Sequence, residues 1–298
     1  MAVQSRRSRP KLAILRGAEA VRGQVMAWRG AGATVGLVPT MGALHAGHLA
    51  LVARARAECD RVVATLFVNP KQFNDPDDLD SYPVDEADDA AGFAAAGVDL
   101  LFAPPVSEMY PDGFATAVSV AGLTDCLCGA ARPGHFDGVS TVVAKLFNQA
   151  PADCAYFGEK DYQQLLVVRR MARDLDLPIR VIAVPTVREA DGLALSSRNR
   201  GLTPAQRTIA PRLYETLSAL AATLAGGPGT APGAVAAAAG ALARGRDDLA
   251  RAGFERIDYL DLRDGETLAA REHAAPGTRL FAAAWLGDIR LIDNIAIG

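Results

Sequence analysis

Two histidines three residues apart are the residues best placed to do chemistry in this chain. His45 and His48 stand in VPTMGALHAGH, residues 38–48. The run before them, residues 33–38, is apolar and reads as a buried strand; the residues after them, to about Glu58, read as a helix. A strand that turns into a helix N-terminus is an anion site. Its first-turn N–H groups are free, and the helix dipole favours negative charge. At this spacing both imidazoles fall on one face of the first turn, where each can donate a hydrogen bond to a phosphate oxygen. Gly42 and Gly47 lack a Cβ and let a bulky phosphate approach the backbone. Spacing alone leaves structural histidines at an ordinary α/β junction, or half a metal site, as alternatives. Only His135 and His273 remain as further imidazoles and no HExxH is present, which disfavours zinc. GxxxxGK[ST] is absent, and Gly30, Gly32 and Gly36 miss GxGxxG spacing and precede the strand.

Other side chains suit the same chemistry. Lys160 follows an apolar run ending at Gly158, at a second strand-to-helix junction, and a cation there can neutralise phosphate charge as it builds. Gln164 sits in the first turn of the helix that follows. Ser196, Ser197 and Arg198 put two hydroxyls and a guanidinium in a row, suited to gripping phosphate or to capping a helix. Arg132, before Pro133 and Gly134 in a loop with His135, is either a bidentate clamp on an anion or a surface arginine. Gln72 offers an amide to a small polar acid or to water. Lys71 is compatible with an anion nearby. Asp88 and Asp89 are paired carboxylates, and adjacent helical residues do not share a face, so they read as a solvated surface pair.

These residues need a scaffold of alternating strands and helices. Helices are expected over 17–28, 85–96, 138–148 and 162–174, with strands over 61–68, 99–102, 155–158 and 180–184. Residues 69–83 hold three prolines, two asparagines and four aspartates and read as a long polar loop. Such a loop at the C-terminal edge of a parallel sheet is where substrates bind, and it can gate the site. Residues 115–120 alternate weakly and suggest an added strand outside the core sheet. Beyond Asn199 the texture changes. Thr203 and Pro204 suit the N-cap and first position of a long Ala/Leu-rich helix. Residues 226–233 read as a linker, 234–251 as another helix, and 254–262, 278–284 and 289–297 as strands. The expected fold is α/β: a Rossmann-like, doubly wound parallel sheet over residues 1–186, with a smaller α+β domain over 187–298 that lids the site.

Composition narrows the function classes. The chain has 298 residues, half of them apolar, and a formal net charge of −3. With no basic patch, nucleic acid is not the expected partner. The four cysteines form no CxxC, and Cys126 and Cys128 are too close for a usual zinc knuckle. Reduced thiols and a cytoplasmic setting are expected. Arg6, Arg7, Arg9 and Lys11 make a basic tail that reads as disordered. The apolar run after it, residues 12–15, is too short for a signal segment, and no stretch is long enough to cross a membrane.

The histidine stretch resembles the His-x-Gly-His signature of adenylyl-transferring α/β enzymes, and in wording it is most similar to the pantothenate synthetase (pantoate–β-alanine ligase) family. The other matching runs come in order and cover nearly the whole chain. They are FVNPKQF at 67–73, YPDG at 110–113, RPGHFDGV at 132–139, FGEKDYQQ at 157–164, PTVREADGLALSSRN at 185–199, and LIDNIAI at 291–297. The resemblance implies an ATP-dependent ligase that joins pantoate to β-alanine through a pantoyl adenylate, with Mg2+ carried on ATP. It implies catalytic roles for His45, His48, Lys160 and Arg198. It places ATP against Met41, Gly42, Gly47, His48, Gly158, Glu159, Lys160, Asp161, Val187, Leu195, Ser196, Ser197 and Arg198. It places pantoate and β-alanine against Pro39, Thr40, Gln72, Arg132 and Gln164. Leu195 departs from the methionine common in the family, a swap of similar volume. The family is dimeric through its first domain, so a homodimer is implied. A related nucleotidyltransferase acting on a phosphate acceptor, or a nucleotide-sensing scaffold, would share only part of this set.

Overall fold

Short β-branched runs separated by amphipathic helices give a parallel sheet, because each helix carries the chain back across the sheet to start the next strand in the same direction. The computed structural model describes residues 12–74, 76–80, 82–226 and 233–297. In order come β1 (Ala13–Leu15), α1 (Ala18–Gly30), β2 (Val35–Thr40), α2 (Ala46–Glu58), β3 (Arg61–Leu66), α3 (Pro76–Asp80), α4 (Glu86–Ala96) and β4 (Leu100–Phe102). Then follow α5 (Val106–Met109), α6 (Leu127–Ala131), α7 (His135–Gln149), β5 (Cys154–Gly158), α8 (Tyr162–Asp174) and β6 (Arg180–Val184). These six strands form one parallel sheet in the order β1-β4-β3-β2-β5-β6. Its two faces are covered by separate apolar clusters, with α1, α7 and α8 on one side and α2 and α4 on the other. The expected doubly wound sheet is therefore present.

The remainder is α9 (Pro204–Ile209), α10 (Arg212–Ala225), α11 (Ala234–Ala252), β7 (Arg256–Asp264), β8 (Thr278–Leu286) and β9 (Ile289–Ala296). The three strands form an antiparallel sheet in the order β7-β8-β9. Side chains alternate across the central strand. Phe281 and Ala283 join the core of the parallel sheet, while Leu280, Ala282 and Ala284 join a cluster with α10 and α11. The central strand is thus buried on both faces.

Several expectations need correction. β1 is a strand that the sequence pattern does not reveal; its three residues pair only with β4, too short for a period to show. Residues 115–120 form no strand. The polar loop of 69–83 contains a 3₁₀ turn, Pro70–Gln72, and α3; each begins at a proline, which suits the first helical position. α7 starts at His135, three residues early, after Gly134 in a left-handed conformation at φ 80. The long helix from Pro204 breaks before α10, where Pro211 has no N–H to give to the ladder. The basic-tail residues Arg6, Arg7, Arg9 and Lys11, and most of the 226–233 linker, lie outside the described residues.

Candidate active site

The strand order reverses between β2 and β5, whose neighbours lie on opposite sides. Ligands of open α/β sheets bind at the carboxyl ends of strands at such a switch point. The histidine turn follows β2 and the Lys160 turn follows β5, so topology alone brings them together.

His45 is the N-cap of α2. Its Nδ1 accepts the Gly47 N–H at 3.1 Å, and His48 Nδ1 accepts the His45 N–H at 3.4 Å. This is a capping box built from two imidazoles. With both Nδ1 atoms accepting, the proton of each neutral ring sits on Nε2. The rings lie 4.0 Å apart between centroids. Burial pushes His45 down to about 4, with Lys160 and Arg200 adding to the shift, and pushes His48 down to about 3, with His45 as the next cause. At neutral pH both rings are therefore neutral donors through Nε2–H.

The turn that aims them is held by Asp89. Its carboxylate accepts the N–H groups of Ala43 at 2.9 Å and Leu44 at 2.8 Å. Gly42 and Ala43 have φ of 89 and 52, and consecutive N–H groups in such a turn form a nest for an anion. Asp89 is 2% exposed, so the expected solvated pair is corrected: only Asp88 faces solvent. Internal packing gives these two glycines a reason beside the expected one. A Cβ on Gly42 would meet Asp89 Oδ2 and Leu66 Cδ1 at 2.5 Å, and one on Gly47 would meet the His45 ring at 2.8 Å. Both are fixed by internal packing.

Around this turn lies a cavity of about 240 Å³. From the end of β2 and the residue after it come Pro39, Thr40 and Met41; from the histidine turn, His45, Gly47 and His48. Gly158, Lys160, Asp161 and Gln164 enter from the β5–α8 junction, and Gln72 and Arg132 from the loops opposite. Val187, Leu195, Ser196, Ser197 and Arg198 complete it. Gly42 and Glu159 are not among its lining residues. The Lys160, Asp161, Ser196, Ser197 and Arg198 wall is shared with an open cleft of about 1710 Å³.

Local bonds place the remaining groups. Asn69, 1% exposed, donates to Gln72 Oε1 at 3.0 Å and to the Gly138 carbonyl at 3.1 Å. The Gln72 amide in turn lies 3.0 Å from Met41 Sδ. His135 Nδ1 donates to the Gln72 carbonyl at 2.7 Å, and Arg132 Nη2 reaches the same oxygen at 3.1 Å. The Thr40 hydroxyl donates to the Thr65 carbonyl at 2.7 Å. Lys160 Nζ stands 3.8 Å from Asp161 Oδ1. Lys71 turns away, over the rings of Tyr110 and Phe114. Val187 and Leu195 are paired across a hairpin, the Leu195 N–H donating to the Val187 carbonyl at 3.0 Å. Ser196 caps the Ser197–Gly201 turn by accepting the Arg198 N–H. Arg198 Nη2 pairs with Asp78 Oδ2 of α3 at 3.1 Å, and Ser197 Oγ lies 3.4 Å from the Tyr82 hydroxyl.

Sequence reasoning misread Asp89 and missed Asn69 and Arg200, whose Nη2 donates to the Leu44 carbonyl at 3.0 Å. Only Asn69 had a local signal, as an Asn before Pro70 at the start of a turn.

A doubly wound sheet with paired histidines, a lysine and a Ser-Ser-Arg turn at one cavity defines a nucleotide-dependent enzyme of the His-x-Gly-His adenylyl-transferring class. The family model for pantoate-beta-alanine ligase matches residues 13–296. The pantothenate synthetase of Roseobacter denitrificans is 56% identical over 95% of this chain and 97% of its own length. That of Ruegeria pomeroyi is 54% identical over the same shares. The crystal structure of the Thermus thermophilus pantothenate synthetase superposes with a TM-score of 0.88 at 49% identity, covering 96% of this chain and 99% of that one. A Francisella tularensis pantoate-beta-alanine ligase, described as complexed with beta-gamma ATP and β-alanine, gives 0.76 at 32% identity over 95% and 97%. The chain belongs to the pantoate–β-alanine ligase family. It is a ligase of pantothenate biosynthesis.

Proposed function

We propose that the cavity between β2 and β5 binds ATP and pantoate together and joins the acid to β-alanine in two steps. A pantoate carboxylate oxygen attacks the α-phosphorus of ATP. The bond from that phosphorus to the β-phosphate oxygen breaks, and pyrophosphate leaves with the electron pair. The neutral amine of β-alanine then attacks the acyl carbon of pantoyl adenylate, the anhydride C–O bond breaks, AMP leaves with the electron pair, and the nitrogen gives up a proton. The reading is carried by the convergence of two neutral Nε2–H donors and the Lys160 ammonium on one cavity. Such preorganised donors stabilise charge that develops on the phosphates. Aligning the reactants supplies roughly 7–11 kcal/mol of barrier reduction.

Ser196, Ser197 and Arg198 hold the β- and γ-phosphates in this reading. The Val187–Leu195 hairpin gives backbone and packing to adenine, while Gln72, Gln164 and Arg132 hold the small acids. Asp161 is the lining carboxylate that would meet Mg2+ carried on ATP, and that ion would supply further neutralisation of phosphate charge. A single cavity carboxylate fits an ion that keeps phosphate and water ligands. The segment from Val187 is a lid domain; in support, α10, α11 and one face of β8 build a core of their own. The family resemblance supports a homodimer, and four free thiols support a reducing, cytoplasmic setting.

The test is pyrophosphate release from ATP. Release that needs pantoate, and becomes multi-turnover with AMP formed when β-alanine is added, is the expected result. Release that needs a phosphorylated acceptor instead would overturn it.

A further inference from the structure

The LIDNIAI run buries two polar side chains in an apolar strand. Asp293 and Asn294 are each 4% exposed, and buried polar groups of this kind need partners. Asn294 Nδ2 donates to two consecutive backbone carbonyls, those of Glu159 at 2.9 Å and Lys160 at 3.0 Å. Arg279 donates to the Asn294 oxygen, which fixes which end of the amide faces the turn. The Arg279 guanidinium in turn lies 3.9 Å from the ring centre of Tyr162, the first residue of α8.

Asp293 points the other way, as neighbours on a strand do. It takes Arg188 in a bidentate pair at 2.6 and 2.9 Å. Arg188 also donates to the Gly192 carbonyl at 3.1 Å, inside the hairpin of residues 187–195. One dipeptide of β9 thus braces both walls of the cavity, the Lys160 turn and the nucleotide hairpin. The Glu159–Asp161 segment is a single 3₁₀ turn, and the path of that turn sets where the Lys160 ammonium stands.

We infer that Asn294 is a positioning residue for Lys160, holding the Glu159–Asp161 turn by its two carbonyls, with Asp293 tying the same strand to the hairpin. This rests on Lys160 acting on the ATP phosphates as proposed above. Asn294 works on the backbone of the turn and supplies nothing to the substrate.

A double-mutant cycle tests it. Pantoate-dependent pyrophosphate release is followed in single turnover for the unaltered chain, Asn294→Ala, Lys160→Ala and the double variant, with thermal midpoints alongside. Asn294→Ala is expected to slow release by about 10- to 100-fold, since small misplacements of a catalytic group cost that much. It should add nothing once Lys160 is alanine, because the two act as one unit. Independent, multiplying losses would make Asn294 a general structural residue and overturn the inference, as would an unaltered rate in Asn294→Ala. Asn294→Asp keeps the size and the Arg279 contact, removes both donors, and should reproduce the loss where the alanine variant does not fold. Failure of both variants to fold also overturns a role confined to positioning. An unaltered rate in Lys160→Ala would instead remove the catalytic reading of Lys160, and the inference with it.

Discussion

The proposed function uses His45 and His48 as uncharged donors, which sets a pH signature. Their values of about 4 and about 3 lie below the ordinary 6.5, as does that of His135 at about 4. Between pH 6.5 and 4 the unfolded chain binds protons at these rings and the folded chain does not. Stability therefore rises with pH across that window and is lost as pH falls toward 4. The expected outcome is a thermal midpoint that drops between pH 6.5 and 4, with a shallower slope in a His45→Gln, His48→Gln variant. The pyrophosphate-release rate should show no limb near pH 6.5; a limb there that vanishes with His45 would mean the charged ring is the active form. The three-residue spacing made the pair legible in the sequence. What it could not give is the direction of the rings, because that depends on two backbone N–H groups bonding to Nδ1. Asp89 escapes a sequence reading for a similar reason. Its neighbour Asp88 is solvated, and nothing local says that residue 89 faces a turn 46 positions earlier.

At the scale of elements, β2, α2, β5 and α8 matter most: β2 and β5 were legible as short apolar runs and α8 as an amphipathic helix, whereas α2 has little amphipathic period and was read from the turn before it. The turn between β2 and α2 was legible too, but not what holds it, Asp89 of α4. Asp89→Asn tests that dependence. The substitution keeps the size but sets an N–H against a backbone N–H, so at least one bond is lost. A hydrogen bond to a charged group is worth roughly 1.5–3 kcal/mol, and denaturant unfolding should show a loss of about that size. Because the turn aims His45, the rate of adenylate formation should fall by about 100-fold in protein that remains folded. A variant that loses stability but keeps its rate would show that α2 holds the histidines without help from α4.

Across the whole molecule, the two sheets meet around the cleft. The change of texture after Asn199 was visible in the sequence, but not that β8 would be buried on both faces, since a run such as LFAAAWL reads as apolar without saying against what. The contacts that span the cleft were equally hidden, being pairs of surface residues far apart in the chain. Arg198 is the one with a chemical consequence. Its guanidinium pairs with Asp78, the two side chains being 34% and 38% exposed. The proposed function asks the same guanidinium to grip ATP phosphates. The carboxylate of α3 therefore competes with the nucleotide, and ATP must displace it. A part-exposed pair of this kind is worth about 0.2–1 kcal/mol, which is roughly a 1.4- to 5-fold effect on affinity. Asp78→Asn should tighten ATP binding by such a factor in calorimetric titration, with a smaller gain at high salt, where the pair is already screened. Weaker ATP binding in the variant would reverse the reading: Asp78 would then belong to the nucleotide-bound state, helping α3 close over the phosphates alongside Arg198.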